Sequence, residues 1–562
     1  MLRLISSLSG LASLLPSISV FSAVVFSASL EAQVVEQPQA AVAESLSPPD
    51  GLDAIGSAEL LKHAKFLSSD ALMGRLTGSP GQVAAADYIK SHFEQLGLEP
   101  LGDVIEEGAD GRSYLQHYGI KRTYVKESEL VLGDVKLVNG FAVFGGDEVD
   151  VDTKGQLKFC GFGRTRGASS VLEEGETLAG KIAVVALKPP RGKVREGLSV
   201  EQKFGMSFGV LGRLGGTARN LAKVGAKAVL FVQIEDKIGL TDVLNYLALS
   251  PGKATVAANF PGADPGMGGM MRSMSKGSVP TLVLSIPASK TLLAQLEISP
   301  DQYMAFLAGD VKALVSKQDA DAALRLQVVR DGDARASNVC AVLRGTDPEL
   351  CDEAIVYSAH MDHVGMRMDG EVFNGADDNG SGSAGLLTIA SAYAKAKQKP
   401  RRSIVFLSVS GEELGLWGSQ FYSDNPTWQL DKIVANINTD MIGRSGPESG
   451  PLEVTVTPSH RHSKYSTIVR DSVGFADQLG MKFTSGDKYY QRSDHYNFAK
   501  KGIPVVFFCS GEHEDYHQVT DTVDKLDGAK MQRIARLAFW TGWHVASADS
   551  VPSALGRQEK WR

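Results

Sequence analysis

Cysteine is scarce in this chain of 562 residues: there are four, Cys160, Cys340, Cys351 and Cys509, and no C-x-x-C pair. That excludes a disulfide-stapled scaffold and a cysteine zinc finger. In an oxidising compartment Cys340 and Cys351 are candidates to pair, which the sequence leaves open. No Lys/Arg block stands out, and 58 Lys plus Arg against 65 Asp plus Glu give a net charge of −7. A nucleic-acid binder needs a basic face, so that class is excluded. G-x-S-x-G is absent, which leaves a serine hydrolase unsupported. Gly209, Gly212 and Gly215 do not form G-x-G-x-x-G, and no Walker Lys-Ser/Thr follows them, so no phosphate cradle is expected. No repeat with a period of 20–50 residues is visible. What the chain does have is 43% apolar residues, 22% charged residues and 59 glycines. This is ordinary globular material, enough for two or three domains at about 100–200 residues each.

After Arg3 no charge appears until Glu31, and the stretch between is apolar with small residues towards its end (Ser27, Ala28, Ser29, Ala32). It resembles a secretory signal over 1–32, with an uncleaved membrane anchor as the rival. No later segment is apolar enough to cross a bilayer. Residues 33–50 are rich in Ala, Pro, Gln and Glu and read as a linker. The expectation is an exported protein, periplasmic or extracellular, touching membrane only if the first segment stays attached.

Residues 57–97 read as helical. Ser79-Pro80 supplies an N-cap and a first-turn proline, Ala86, Ile89, Phe93 and Leu96 follow at helical spacing, and Gly97 ends the run. From about 130 the texture changes to short strands and turns, with a Gly/Met tract at 261–277 that reads as a surface loop. From about 325, buried-strand runs (AIVYSAH, RSIVFLSVS, IVANINTD, IPVVFFCS) alternate with helical pieces. That alternation predicts an α/β fold, a mostly parallel-stranded sheet flanked by helices.

In such sheets, sites form beyond the carboxyl ends of the strands. The apolar runs are followed in turn by His360-Met361-Asp362, Glu412-Glu413, Asp440 and His517, and the loop after His360 carries Asp377-Asp378. Two imidazoles and several carboxylates, without thiolate, suit zinc, with manganese or cobalt as alternatives. One carboxylate between two cations can bridge them. Asp362, two residues beyond His360, is placed to accept from the ring nitrogen that holds no metal. A buried Asp440 needs a partner. His460 and His462, in a polar stretch, read as surface residues.

The order and wording of SAHMDHVG, NGADDNGSGSAGLL, SGEELGLWGS, NINTDMIG, QRSDHYNFAKKGIPVVFF and EDYHQVTDT resemble the zinc aminopeptidases of the bacterial leucyl aminopeptidase and aminopeptidase Y family. The resemblance implies a catalytic domain in two parts, 51–130 and 325–548. A smaller β-rich α/β domain similar to the protease-associated domain would be inserted at 135–315. It implies two zinc ions: His360 and Asp440 on one, Glu413 and His517 on the other, Asp377 bridging, and a cis Asp377–Asp378 peptide. Glu412 would be general base and acid, and Asp362 would orient His360. Asp494 and Asp521 would lie outside the ligand set. The implied substrates are peptide or protein N-termini. Alternatives within the same architecture are a glutamate carboxypeptidase-type enzyme, a glutaminyl cyclase-like transferase with one zinc, or a non-catalytic receptor-like relative. The first needs a cation for a substrate carboxylate, and Arg444 and Arg492 are the nearest candidates. The third would have lost ligands.

Overall fold

The computed structural model describes residues 47–105, 111–145, 147–165, 176–187, 200–236, 240–263, 279–310, 320–447 and 449–561. The expected signal and most of the linker, and the Gly/Met tract beyond Ala263, lie outside these residues.

The C-terminal strands build the sheet that the apolar runs predict. Ala354–His360 lies between Ser403–Val409 and Ile433–Thr439, parallel to both, and Ile433–Thr439 is parallel to Val505–Cys509. Their carboxyl ends therefore share one edge: His360 is level with Val409, and Thr439 with Phe508. Antiparallel strands close both flanks, Glu453–Thr457 against Val505–Cys509 and Arg335–Leu343 against Ser403–Val409. The sheet is thus mixed at its margins and parallel in its centre.

Strand periodicity assigns alternate side chains to opposite faces. Ile355, Tyr357 and Ala359 join the larger core with Leu60, Ile89, Phe93, Leu387 and Leu537 from the helices Ser57–Leu67, Pro80–Gln95, Gly382–Lys395 and Gly528–Ser547. Ala354 and Val356 face the other way, onto Tyr422 and Phe498. The helical reading of 57–97 holds at its ends but not through its middle. Ser79 Oγ caps the second helix by accepting from Gln82 N at 3.3 Å, and Gly97 ends it at φ 69°. Between the helices lies a short 3-10 segment, Asp70–Arg75, with Met73, Gly74 and Arg75 at positive φ.

A second sheet forms between 120 and 331. The far part of the long strand Leu115–Leu132 pairs with Asp321–Asp331, which pairs with Val149–Phe159. Lys181–Ala186, Ala228–Val232 and Thr281–Leu284 follow in parallel, and Phe141–Val143 closes the order. Helix Val200–Lys223 covers one face through Val210, Leu214 and Leu221. Ile286–Gln295 and Pro300–Leu307 cover the other through Leu292, Leu293 and Phe306. The sheets meet along Leu115–Leu132, whose first residues pair with Arg335–Leu343 of the first sheet. Side contacts add to the seam: Gly140 N donates to Met368 O (2.7 Å) and Gln420 Nε2 to Gly262 O (2.9 Å).

All four cysteines are free, so Cys340 and Cys351 do not pair here; Cys340 is buried in its strand. His460 is not a surface residue: it is 1% exposed and packs on Trp561, with ring centroids 4.7 Å apart. The aromatic partner lies a hundred residues away, beyond what the polar local sequence displays. His462 rests on Tyr490.

Candidate metal centre

The shared strand edge gathers ionisable side chains into two clusters whose ligand-type atoms lie within 4.8 Å of one another. One is His360, Asp378 and Asp440; the other is His363, Asp378, Glu413 and His517. His360 Nε2 stands 3.3 Å from Asp440 Oδ1, 3.4 Å from Asp378 Oδ1 and 3.9 Å from Glu412 Oε2. His517 Nε2 stands 2.9 Å from Asp378 Oδ2 and 3.0 Å from Glu413 Oε2. Glu413 Oε1 lies 2.7 Å from His363 Nδ1. Asp378 therefore presents one oxygen to each cluster, and Glu412 flanks the pair without belonging to either.

The structure brings Asp378, not Asp377, to the shared position. Asp377 turns away: its Oδ1 accepts from Gly443 N (2.6 Å), and its Oδ2 lies 3.2 Å from His513 Nε2. The cis peptide is Asp378–Asn379 rather than Asp377–Asp378. Both Asp377 N and Asp378 N donate to the Asp521 carboxylate at 3.1 Å, which fixes the loop so that neighbouring side chains point apart. Two adjacent aspartates look alike in a sequence, and only this backbone anchoring separates them. Asp362 stands beside the ring nitrogen of His360 that faces away from Asp378 and Asp440. His360 Nδ1 is 3.2 Å from the carbonyl oxygen of Asp362 and 3.7 Å from its carboxylate. That carboxylate also accepts from Thr77 Oγ1 (2.8 Å) and from Glu412 N (3.3 Å), so it holds the Glu412 loop.

His363 and His513 were not singled out in the sequence. His363 follows directly on His360-Met361-Asp362, and a second imidazole three residues after the first was the available signal. His513 sits among GEHEDYH and has no such periodic cue. Asp494 is fully buried, and burial raises its carboxyl to about 7; burial likewise raises Asp521 to about 6.

Support comes from the N-terminal segment. Arg75, 1% exposed, donates to the carbonyl oxygens of Leu67, Met361 (2.8 Å), Asn374 (2.7 Å) and Gly375 (3.0 Å). One guanidinium thereby ties the His360 loop to the Asp378 loop. Ser493 Oγ donates to Asp440 Oδ2 (2.8 Å). Burial opposes charge on His517, but Glu413 and Asp378 outweigh it and carry the imidazole up to about 10. Burial also penalises the Glu413 carboxylate, yet His517 and His363 hold it well below its ordinary range. Glu412 goes the other way, raised by burial and by Glu413 despite His360.

Donor chemistry tests whether cations fit. His360 Nε2 and Asp440 Oδ1 are buried without a hydrogen-bond partner and converge with Asp378, while His363 turns its Nδ1 to Glu413 and Asp378. Buried atoms of this kind need compensation, and a nitrogen–oxygen donor set of this composition suits zinc-class ions. Two cavities flank Glu412. One, of about 510 Å³, runs past Glu413, Leu416, Gln420, Tyr490, Tyr496 and Lys500. The other, of about 40 Å³, lies against Asp378 and Asp440.

The sequence model of Peptidase family M28 matches residues 338–541, the stretch that supplies every member of both clusters. A probable leucine aminopeptidase of Trichophyton verrucosum is 29% identical over 37% of this chain and 58% of its own length. Leupeptin-inactivating enzyme 1 of Streptomyces exfoliatus is 31% identical over 40% of this chain and 46% of its own. The chain thus spans about half the length of these curated relatives. The structure of BSAP, a zinc aminopeptidase from Bacillus subtilis, aligns with a TM-score of 0.50 at 18% identity, covering 90% of this chain and 99% of that one. That likeness is one of fold.

Proposed function

We propose that this protein is an exported di-zinc aminopeptidase that hydrolyses the N-terminal peptide bond of peptides or proteins. The observation that carries the reading is the sharing of Asp378 between two histidine–carboxylate clusters, with the carboxylate of Glu412 beside them and outside both. His360, Asp378 and Asp440 would hold one ion; His363, Asp378, Glu413 and His517 would hold the other. Ions so held supply Lewis acidity towards a water and a scissile carbonyl.

The protein's own part is positioning and proton transfer. Glu412, outside both ligand sets, is free to accept the proton of the attacking water and to deliver it to the leaving amine. Asp362 fixes the Glu412 backbone, and Ser493 fixes Asp440. The substrate's ammonium group is attracted by the carboxylates of Asp378 and Asp440, which favours release of one residue from the N-terminus. Arg444 and Arg492, the candidates for a substrate carboxylate, are paired with Asp515 (2.8 Å) and Glu512 (2.7 Å), so the carboxypeptidase reading draws no support from them. Export rests on the signal-like residues 1–32, and the second sheet is read as a protease-associated-type insertion.

The test is metal analysis of purified protein together with hydrolysis of aminoacyl-anilides, their N-acetylated forms and C-terminal glutamate peptides. Two ions per chain and cleavage of unblocked substrates only is the expected result. A folded, active sample with one ion, or cleavage of the blocked forms, would overturn it.

A further inference from the structure

The chain between His363 and Asp378 folds into a hairpin that reaches the other sheet. Met366 and Val372 form its antiparallel bridge, and Arg367 N donates to Glu371 O (2.7 Å) across the turn. At the tip, Met368 is 2% exposed and joins the core on one face of the second sheet, with Phe144, Leu244 and Ala248. Among the described residues, every other buried member of that core lies between 142 and 283. The loop that joins two members of the metal cluster thus has its tip inside the second domain.

Two backbone hydrogen bonds hold the tip there. Met368 N donates to Asn245 Oδ1 (3.2 Å), and Gly140 N donates to Met368 O (2.7 Å). Lys253 supports the same contact: its ammonium donates to Asn245 O and lies 5.8 Å from the ring centroid of Phe373, on the return of the hairpin. The base bears on the metal cluster. Phe373 N donates to Gly365 O (3.0 Å), and the chain then runs through Gly375 to Asp378. Gly375 lies against His363, where an added Cβ would stand 2.5 Å from the imidazole ring. A shift of the hairpin return therefore moves the His363 ring and the Asp378 carboxylate together. Ligand groups need placement to within about 0.5 Å, and the groups that brace them tune metal affinity. Arg75 braces the base of this hairpin, and the second sheet braces its tip.

We propose that the second sheet sets the affinity of the ion beside His363, with Met368 and Asn245 as positioning residues that act through this hairpin. This rests on the metal reading above and deepens it. Among the described residues, the second sheet adds no side chain to either cluster, so its part is to hold the loop that carries them.

The test is zinc titration of the full-length, chelator-stripped protein against a chromophoric competitor, with denaturant unfolding followed in parallel. Met368→Ser and Asn245→Ala release the tip and should each weaken one zinc-binding step by about 10–100-fold. Asn245→Ala removes a single acceptor, so it still reports where Met368→Ser fails to fold. Met368→Leu refills the core and should bind zinc as the unmodified protein does. Leu221→Ala cuts the same core beside Gly163, in the second domain's own helix. It should lower stability and leave both zinc steps in place. Unchanged zinc affinity in the folded tip variants would make the hairpin a domain tether alone and overturn the proposal. An equal loss of affinity in Leu221→Ala would also overturn it, by tracing the effect to general loosening of the domain. A folded, unmodified protein that binds no zinc would instead overturn the metal reading, and the proposal with it.

Discussion

The two sheets of this molecule solve the problem of burial in opposite ways. Among the described residues, the sheet between 120 and 331 buries Lys253 and no other Asp, Glu, Lys, Arg or His; its cores are aliphatic and aromatic. The C-terminal sheet buries His360, Asp362, His363, Asp377, Asp378, Glu412, Glu413, Asp440, Asp494, His513 and Asp521 around one edge. Buried charge is costly, and a fold keeps such a concentration only where partners or ions compensate it. The contrast teaches where to look for chemistry: one sheet is packing, and the other has packing on its faces and chemistry on its edge.

The largest expected effect sharpens that contrast at its centre. Asp378→Ala should lower metal content from two ions to one or none, whereas Asp377→Asn should keep both and weaken affinity by about 10–100-fold. Metal titration of the two variants decides the order. Equal loss in both would mean that the aspartates share the ligand role. Next in size, Glu412→Gln should retain both metals and lose roughly 10²–10⁴-fold in kcat. Loss of a metal in that variant would place Glu412 among the ligands.

Arg75→Ala breaks the comparison from outside, since it removes a buried cation that binds loops and no substrate. We expect a loss of at least about 3 kcal/mol in denaturant unfolding, because four backbone carbonyls lose their donor. Unaltered stability would mean that the loops hold themselves.

The smallest effect concerns the exception in the second sheet. Lys253 is 4% exposed, donates to Asn245 O, and is lowered to about 7 by burial, with Glu413 acting weakly against the shift. Its ordinary value is 10.5, so between pH 7 and 10.5 the unfolded chain binds a proton that the native one does not. Stability should therefore rise with pH across that window, by at most about 1.4 kcal/mol per unit. Lys253→Met should remove this slope. If the two proteins differ by a constant amount from pH 7 to 10, the lysine is charged in the fold.

What the sequence disclosed follows the same division. Strand ends were readable because apolar runs such as AIVYSAH stop at a ligand-type residue, and that stop is itself the geometry of a parallel sheet edge. The choice between Asp377 and Asp378 was not readable, because it is made by Asp521 more than 140 positions later. His460 was misread for a similar reason: Trp561 covers it. The break between the helices Ser57–Leu67 and Pro80–Gln95 exists to aim Arg75 inward, which helical periodicity cannot express.

The strand Leu115–Leu132 leaves one sheet and enters the other, and the chain returns along Asp321–Asp331 and Arg335–Leu343. At the point of departure Gly119 and Arg335 are register partners. Neighbours in an antiparallel ladder have Cα atoms about 4.5–5.5 Å apart, close enough for a tight turn to join the two rails. Topologically, the whole second sheet is the loop of a β-hairpin grown to domain size. A loop whose ends are already paired adds little closure cost however long it becomes. Such a position tolerates replacement of its contents, and the same strand edge can carry different cassettes on one hairpin.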